Sequence, residues 1–319
     1  MEGLFDVLMS HLSIVIPVFN ENDLIKELLT RVKFNAELIT SDYEIIVIDD
    51  GSRDATWDEI KLEAQKTKKI KALNFSRNFG HHYAITAGLF NATGDWVVVM
   101  DGDLQDRPEV IPDLYNTAQK GFDIVFVSRT NRPESAPYRL AQKVFYVILN
   151  LLSGIDFDSR QANFSIINKK VVEAFKTFPE NARFYATTVM WLGFDKTFIL
   201  ADHGTRHSGE SSYTLKKRIK LALDIILAFS ERPLNFAIGL GLSMSLFASL
   251  VIIYLIVGIF YLEYVFDSWL ILLTSIFFMG GLILTILGII GVYVGRIFNQ
   301  VKNRPLYIIK ESIGVTLVK

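Results

Sequence analysis

The feature that most constrains this chain of 319 residues is a long apolar stretch near its end. From Pro233 to Gly295 there is no Lys or Arg, and the only acidic residues are Glu263 and Asp267. Two runs within it, 233–262 and 270–295, each exceed the roughly 20 residues that a helix needs to cross a hydrocarbon core. A pair of core helices in a large soluble protein is the alternative, but two long charge-free runs favour the membrane. We therefore predict a two-helix transmembrane hairpin.

Charges around the two runs predict how the hairpin is oriented. Basic residues flank it on both outer sides, with Lys216 and Lys217 before it and Arg296 after it. The charged residues of the connection 263–269 are both acidic. Positive flanks stay in the cytoplasm. The first eleven residues have no basic start, which argues against a cleaved signal peptide. The sequence thus predicts an integral inner- or plasma-membrane protein whose N-terminal part is cytoplasmic.

Residues 215–229 have the pattern of an interfacial helix. Ile219, Leu223 and Ile226 fall on one helical face, and Lys216 and Lys220 fall on the other, which suits the headgroup layer of an anionic membrane. The segment 138–152 is a second candidate, and packing against the soluble domain explains it equally well. We expect a soluble domain over 1–213, a juxtamembrane helix over 214–232, transmembrane helices over 233–295 and a cytoplasmic tail over 296–319.

The overall composition excludes two classes of function. The net charge of -1 argues against a nucleic-acid-binding protein, which normally carries a basic excess. The chain has no cysteine, so disulfide bonds and thiolate metal sites are excluded.

Short branched apolar runs alternate with helical stretches in the N-terminal part. This alternation predicts an α/β fold with a mainly parallel sheet that has helices on both faces. Ligands bind such sheets beyond the carboxyl ends of the strands. The predicted strands are Leu12–Val18, Glu44–Asp49, Ile70–Asn74, Trp96–Met100 and Ile124–Ser128, and two of the predicted helices are Leu24–Phe34 and Ala55–Thr67.

Acidic residues follow the first two predicted strands. Pro17, Asn20 and Glu21 come at the end of the first strand, and Asp49 and Asp50 end the second. A carboxylate at such a strand end can accept hydrogen bonds from a ribose or a base. Helix capping is the alternative: it is the preferred interpretation for Asp54, and ligand binding is preferred for Asp49 and Asp50.

Asp101 and Asp103 follow the apolar fourth strand, one residue apart. Two carboxylates on one turn can bind a hard cation such as Mg²⁺ or Mn²⁺, which takes its other ligands from a diphosphate and water. An acidic turn by itself is common. Its position after a wholly apolar strand, beside two other acidic strand ends, favours a metal site.

The remaining candidate residues are basic. Arg77 and Asn78 follow the third strand, where a phosphate or a base is the expected ligand, while the neighbouring His81 and His82 fit a helix start better than a metal site. Arginine forks suit phosphates, and surface ion pairs are the alternative for each. The candidate arginines are Arg129, which ends the fifth strand, Arg132, Arg139 and Arg206, the last within a segment that also holds Ser211 and Tyr213.

Together, these motifs resemble the inverting family 2 glycosyltransferases of the GT-A fold. The resemblance rests on Pro17–Glu21, Asp49–Ser52, Ser76–Gly80 and Asp101–Asp106. Adding Arg206–Tyr213 and the two apolar runs narrows it to polyprenyl-phosphate glycosyltransferases, a group that includes dolichyl-phosphate mannose synthases and bactoprenol glucosyltransferases. The resemblance covers nearly the whole chain.

The resemblance implies roles for particular residues. Asp101, Asp103 and Gln105 would bind the metal and the diphosphate, Asp49 and Asp50 the nucleoside, and Arg129 the acceptor phosphate. Two departures affect the sugar contacts: Asn163-Phe164-Ser165 stands where many relatives have Asp-Phe-Arg, and His81 stands where many have lysine.

The implied function is transfer of a hexose, first of all glucose from UDP-glucose, onto undecaprenyl phosphate for cell-envelope or O-antigen glycosylation. A GDP-mannose enzyme that acts on dolichyl phosphate is one alternative, and a catalytically inactive nucleotide-binding membrane scaffold is another. A transporter is disfavoured because neither run carries an embedded charge. Glycine pairs such as Gly280 and Gly281 permit close helix contact and hence a homo-oligomer.

Overall fold

The computed structural model describes residues 11–130, 161–178, 184–202, 268–302 and 304–315, together with individual positions between 234 and 257. The chain divides into two compact units. The first comprises Met1–Val147, Ile155–Ser212 and Pro305–Lys319, and the second comprises Ile148–Gly154 and Tyr213–Arg304. We call them the sheet unit and the helical unit.

The sheet unit is built on a single eight-stranded sheet in the order β7-β5-β6-β4-β1-β2-β3-β8. The five strands predicted from the sequence are all present, with ends shifted by up to two residues. The strands are β1 (Leu12–Val18), β2 (Tyr43–Asp49), β3 (Ile70–Phe75), β4 (Trp96–Val99), β5 (Ile124–Thr130), β6 (Gln161–Asn168), β7 (Lys196–Asp202) and β8 (Ile309–Ile313).

Strand directions explain how the site is assembled. The pairs β1–β2, β1–β4, β2–β3 and β5–β7 are parallel. The strand β6 runs antiparallel between β4 and β5, and β8 runs antiparallel along β3. All strands except β6 and β8 therefore point their carboxyl ends to the same edge, as the predicted α/β class requires.

Helices cover both faces of this sheet. Every residue of β1 and β2 is buried because helices cover both faces of these strands. Burial on both faces explains why the two strands are mostly apolar. The described helices of the sheet unit are α1 (Ile25–Glu37), α2 (Thr56–Lys66), α3 (His81–Asn91), α4 (Ile111–Ala118, after a one-turn 3-10 helix Pro108–Val110), α5 (Lys169–Lys176) and α6 (Tyr185–Trp191). A further described helix, α7 (Ser268–Val301), belongs to the helical unit.

A buried polar cluster fixes the sheet at the edge opposite the carboxyl ends. Glu44 accepts hydrogen bonds from the Ser13 hydroxyl and from the backbone and hydroxyl of Thr93, and Lys71 pairs with its other oxygen. Burial alone would raise the pKa of Glu44, but these partners hold it below the usual value. The cluster ties β1, β2 and β3 to the segment before β4.

The C-terminal residues belong to the sheet unit. The sequence predicts a cytoplasmic tail over 296–319. Within that range, Ile309–Ile313 forms β8 along the edge of β3. The Tyr307 ring stacks on Phe75 with centroids 5.0 Å apart, and the Ser76 N–H donates to the carbonyl of Ile308 at 3.0 Å. The last part of the chain thereby completes the sheet.

The helical unit contains α7. Within the described residues, one helix is long and apolar enough by length and composition to cross a membrane, over Phe278–Phe298. The helix α7 includes the whole of the predicted second span, 270–295, and extends to Val301. Most of the predicted first span lies outside the described residues, so the hairpin stays a prediction.

Candidate functional site

The loops after β1 and β2 are joined side by side at the carboxyl edge. The Asn20 N–H donates to the Ser52 hydroxyl at 2.8 Å, and the Asn20 side-chain oxygen accepts from the Arg53 N–H at 2.9 Å. Asn20 has a φ of 55°, a left-handed conformation that asparagine tolerates. Glu21 is held by its N–H, which donates to the Thr56 hydroxyl at 2.8 Å. Asn20, a predicted nucleotide contact, thus joins the loops that follow β1 and β2.

Asp49 lies at the end of β2 and is fully buried. Its Oδ1 accepts from the Ser52 N–H at 2.9 Å, and its Oδ2 is buried without a hydrogen-bond partner. Burial raises the pKa of Asp49, although the Ser52 hydrogen bonds and the charge of Lys310 act the other way. A buried carboxylate oxygen without a donor is costly for the fold, so Asp49 is suited to receive a donor from a ligand.

Asp50 has a different position from its neighbour. Its carboxylate accepts from the backbone N–H groups of Phe79 at 2.8 Å and Gly80 at 2.9 Å. Both are in the loop after β3, so Asp50 holds that loop against the end of β2. Both of the neighbouring carboxylates that we predict to bind the nucleoside are buried, but Asp49 keeps one oxygen without a hydrogen-bond partner, whereas Asp50 holds two loops together.

Gly51 allows these two loops to meet. It has a φ of +70°, and a Cβ atom there would lie 2.3 Å from the carbonyl carbon of Arg77. Arg77 and Asn78 are exposed on the facing loop, where the Arg77 guanidinium lies 3.9 Å over the Phe79 ring and donates to the Asn78 carbonyl at 2.9 Å. Both candidate residues therefore stand at the carboxyl edge beside Asp49. Pro17 lies within β1, in register with Ile48 of β2.

The acidic turn after β4 is held by its own residues. The Asp101 N–H donates to Asp106 at 3.1 Å, and Asp103 accepts from the Gln105 N–H at 3.0 Å. Leu104 is buried and has a φ of 59°, which reverses the chain between Asp103 and Gln105. A Cβ atom at Gly102 would lie 2.5 Å from Val18, so the turn is pressed against β1. The three residues predicted to bind the metal are therefore gathered on one compact turn.

Two residues at positions where this chain departs from the family resemblance, His81 and Asn163, lie beside this turn. His81, at the start of α3, places Nε2 3.2 Å from Oδ1 of Asp101 and 3.2 Å from the Asn163 side-chain nitrogen. Burial alone would lower the pKa of His81, but nearby carboxylates, chiefly that of Asp101, raise it above its usual value. Asn163 arrives because β6 starts at this edge, antiparallel to β4. The strand order brings it there, and among the sequence signals only the family resemblance points to this position.

The rings of His81 and His82 lie edge to face with centroids 5.5 Å apart, but His82 has different hydrogen-bond partners. Its Nδ1 accepts from the Tyr185 N–H at 3.4 Å, and its ring packs against Phe184 with centroids 5.3 Å apart. Burial lowers the pKa of His82 to about 3, so it is neutral at physiological pH. The two adjacent histidines therefore lie in different surroundings.

The donor set fits a hard divalent cation. The turn offers two carboxylates and the amide oxygen of Gln105, all hard oxygen donors. Among the described residues no group of three or more His, Cys, Asp or Glu side chains converges as a metal site. An ion held by Asp101 and Asp103 would thus need oxygens from a bound ligand or from water to complete its shell.

The predicted acceptor residues lie at or beyond the ends of β5 and β7. These two strands are parallel, with Thr130 in register with Asp202, so the two strands end at neighbouring points. Arg129 is in β5, in register with Ala201. The side chain of Arg129 and the residues Arg132, Arg139, Arg206, Ser211 and Tyr213 lie outside the part of the chain that the structure describes.

A cleft connects the acidic turn to these strand ends. It is lined by residues of the turn and of β5, β6 and β7: Gln105, Asp106, Val127, Phe164, Ala201 and Asp202. The carboxyl edge thereby presents, in sequence along the sheet, the Lys310 strand, Asp49, the acidic turn and the start of the arginine-bearing segments.

Two relatives are similar to this chain over nearly its whole length. The bactoprenol glucosyl transferase of Shigella phage SfII is 36% identical over 94% of this chain and 98% of its own length. The undecaprenyl-phosphate 4-deoxy-4-formamido-L-arabinose transferase of Pseudomonas syringae is 32% identical over 94% of this chain and 90% of its own length.

The fold has a counterpart among solved structures. Glucosyl-3-phosphoglycerate synthase from Mycobacterium tuberculosis aligns with a TM-score of 0.50 and 19% identity, over 69% of this chain and 77% of that one. The sheet unit therefore has the GT-A α/β fold. Residues 13–175, which include the acidic turn, His81 and Asn163, match the description of Glycosyl transferase family 2. With that match and its full-length relatives, the chain belongs to glycosyl transferase family 2.

Proposed function

We propose that this protein transfers a hexose from a nucleotide sugar onto a polyprenyl phosphate at the cytoplasmic face of the membrane. The observation that carries the proposal is the placement of Asp49 and the Asp101–Asp103 turn at the same sheet edge, with β1 between their strands. Two strand spacings separate them, about 10 Å. A nucleoside diphosphate can therefore place its nucleoside at Asp49 and its diphosphate at the turn.

The acceptor would approach from the other side of the turn. The cleft that contains Gln105 and Asp202 leads to the ends of β5 and β7, from which both arginine-bearing segments depart. Arg129, Arg139 and Arg206 would bind the acceptor phosphate together with Ser211 and Tyr213. Arginine is suited to this because its planar fork makes paired hydrogen bonds to phosphate oxygens.

The reaction is a direct displacement with inversion. An oxygen of the acceptor phosphate forms a bond to the anomeric carbon, and the bond from that carbon to the diphosphate oxygen breaks, so the nucleoside diphosphate leaves with the electron pair. A phosphate monoester has its second pKa at about 6, so the nucleophile is already anionic and needs no strong general base. Orientation by the protein supplies much of the rate enhancement.

Asp101, Asp103 and Gln105 would hold Mg²⁺ or Mn²⁺, which neutralises the charge that develops on the departing diphosphate. His81, which Asn163 contacts, would hold the Asp101 carboxylate in place beside the sugar end of the donor. Asp50, Gly51 and the loop they support keep Arg77 and Asn78 at the nucleotide.

The donor and the acceptor are proposed from the relatives. UDP-glucose and undecaprenyl phosphate come first because full-length relatives are named as bactoprenol glucosyl transferase and undecaprenyl-phosphate sugar transferase. GDP-mannose with dolichyl phosphate is the second choice, and an inactive nucleotide-binding scaffold is the third. The proposal includes membrane anchoring through 233–262 and 270–295, the juxtamembrane helix 214–232, a catalytic part over 1–213 and possible assembly into homo-oligomers.

The test is transfer of radiolabelled glucose from UDP-glucose to undecaprenyl phosphate by the purified full-length protein in detergent, with Mg²⁺ or Mn²⁺. Asp103→Ala is the test variant. Asp58→Ala is the matched control, because Asp58 is an exposed carboxylate on α2 that pairs with Lys61. Metal-dependent label in the lipid fraction, lost in Asp103→Ala and kept in Asp58→Ala, is the expected result.

Other outcomes separate the alternatives. Label from GDP-mannose but not from UDP-glucose corrects the donor and keeps the mechanism. Nucleotide binding without transfer from any donor to any polyprenyl phosphate contradicts the proposal and favours the scaffold.

A further inference from the structure

Lys310 is the extra residue of a β-bulge beside the nucleotide end of the site. Asn74 of β3 pairs with Glu311 of β8, but the next residue, Phe75, pairs with Ile309. Lys310 is therefore left without a partner position in the ladder. Bulges occur often at sheet edges and beside active sites, where they turn a side chain in a new direction.

Contacts on both sides fix the position of this bulge. After it, Glu311 accepts a hydrogen bond from the Trp57 indole of α2 at 2.8 Å. Before it, the carbonyl of Ile308 accepts from the Ser76 N–H, and Tyr307 stacks on Phe75. With these anchors on either side, Lys310 has a defined place at the carboxyl end of β3.

Strand register places Lys310 near Asp49. Asp49 pairs with Asn74 across β2 and β3, and Asn74 pairs with Glu311 across β3 and β8, so the three lie in one row across the sheet. The charge of Lys310 reaches Asp49 and acts to lower the pKa of that carboxyl. Asp49 is itself fully buried, and its Oδ2 has no hydrogen-bond partner.

We propose that Lys310 is a nucleoside-recognition residue, whose ammonium group donates to the base of the donor while the Asp49 carboxylate accepts from it. This inference deepens the proposed function and rests on it, because it assumes that the nucleoside occupies the Asp49 end of the site.

The pair selects a particular kind of base. Asp49 offers only an acceptor and Lys310 only donors, so together they match a ring N–H that lies beside a carbonyl oxygen. Uracil and guanine present that pattern. Cytosine and adenine exchange these two positions, because their ring nitrogen accepts and their exocyclic amino group donates. Held in the same orientation, they would turn an acceptor towards Asp49 and a donor towards Lys310, and a site built to hydrogen-bond its ligand rejects such analogues strongly.

Binding of nucleotides alone tests the inference separately from catalysis. Full-length protein in detergent is titrated with UDP, GDP, CDP and ADP in the presence of Mg²⁺, by calorimetry. We expect UDP and GDP to bind at least about tenfold more tightly than CDP and ADP. Lys310→Met should lose roughly tenfold in UDP affinity and most of the preference over CDP, whereas Lys310→Arg should retain both.

Lys61→Met is the matched control, since Lys61 is an exposed lysine on α2 near Glu311 that pairs with Asp58. Its UDP affinity should equal that of the wild type. Thermal melting of each variant confirms folding, and Lys310→Gln gives a second neutral replacement that keeps a hydrogen-bond donor.

Each outcome decides the matter. Equal binding of all four nucleotides, or unchanged UDP affinity and selectivity in Lys310→Met and Lys310→Gln, overturns the role of Lys310 without affecting the proposed transfer reaction. Absence of any nucleotide binding by the wild type overturns both. Selective binding that depends on Lys310, with no sugar transfer, upholds this inference and overturns the transfer.

Discussion

The imidazole Nε2 of His81 lies 3.2 Å from Oδ1 of Asp101, so a histidine at the start of α3 holds one carboxylate of the acidic turn. Residues that orient a metal-binding side chain commonly affect metal affinity or activity by about 10–100-fold when replaced. The pair therefore fixes one of the two carboxylates that the acidic turn offers to a metal.

This contact predicts a graded response at His81. His81→Leu should lower kcat/KM for sugar transfer by about tenfold and raise the Mn²⁺ concentration needed for half-maximal rate. His81→Lys should stay within about threefold of the wild type, because an ammonium group restores the pair with Asp101. Steady-state kinetics at several metal concentrations make the measurement. Equal losses in both variants would contradict an ion-pair role.

Asp49 predicts opposite effects on stability and on binding. Because burial raises the pKa of Asp49, the folded state binds more protons than the unfolded state between its usual and its raised pKa, and stability falls as pH rises through that interval. Above that interval the destabilisation by the ionised Asp49 is complete. Asp49→Asn should therefore stabilise the protein by about 1 kcal/mol at pH 7, with no gain below the usual pKa of Asp, while UDP binding weakens.

Chemical unfolding at pH 7 and nucleotide titration check both halves of this prediction. Asp54→Asn, on an exposed carboxylate at the start of α2, is the comparison variant. A loss of stability in Asp49→Asn at neutral pH would show that the buried oxygen is satisfied in the folded protein.

Gly51→Ala should separate two neighbouring loops. The new Cβ atom would lie 2.3 Å from the Arg77 backbone, and alanine disfavours the φ of +70°. We expect a loss of about 2 kcal/mol in unfolding free energy and a larger KM for the donor, because the loop that carries Arg77 must move. Gly121→Ala is a suitable control, since Gly121 also has a positive φ but has nothing within 4 Å of its Cβ position. Its donor KM should stay unchanged.

His82 predicts a component of acid sensitivity. Burial lowers the pKa of His82 to about 3 in the folded protein. In the unfolded chain His82 has its usual pKa of about 6.5, so between these two values only the unfolded chain binds the proton. The stability from neutral His82 is thus complete above pH 6.5 and declines below it by up to about 1.4 kcal/mol per pH unit. His82→Asn keeps an acceptor for the Tyr185 N–H without this protonation. Its unfolding free energy should decline less between pH 6.5 and pH 5 than that of the wild type, and parallel declines would refute the assignment.

The sequence predicts the parallel core of the sheet well because its signals are local. Each apolar run that ends in an acidic turn, such as the one before Asp101, is a strand that reaches the carboxyl edge. Asp54 accepts from the Thr56 N–H at the start of α2, although the N-cap residue of that helix is Ala55.

Long-range pairing accounts for what the sequence does not predict. Asn163 lies beside His81 only because β6 inserts antiparallel between β4 and β5, and Lys310 lies at the edge of β3 only because residues beyond the apolar stretch return to that strand. The division of roles between Asp49 and Asp50 depends on the path of the loop after β3. No spacing or periodicity in one segment contains that information.

The position of β8 also sets the order in which the sheet can form during synthesis. A ribosome makes the chain from the N-terminus, and domains generally begin to fold while synthesis continues. Residues 309–313 emerge only after the whole of α7, so β3 is an open edge for the entire time that the apolar helix is being made. An unpaired edge is a template for wrong pairing. Among the described strands β8 is the last to be translated, so the edge of β3 is covered in the same step that brings Lys310 to the sheet.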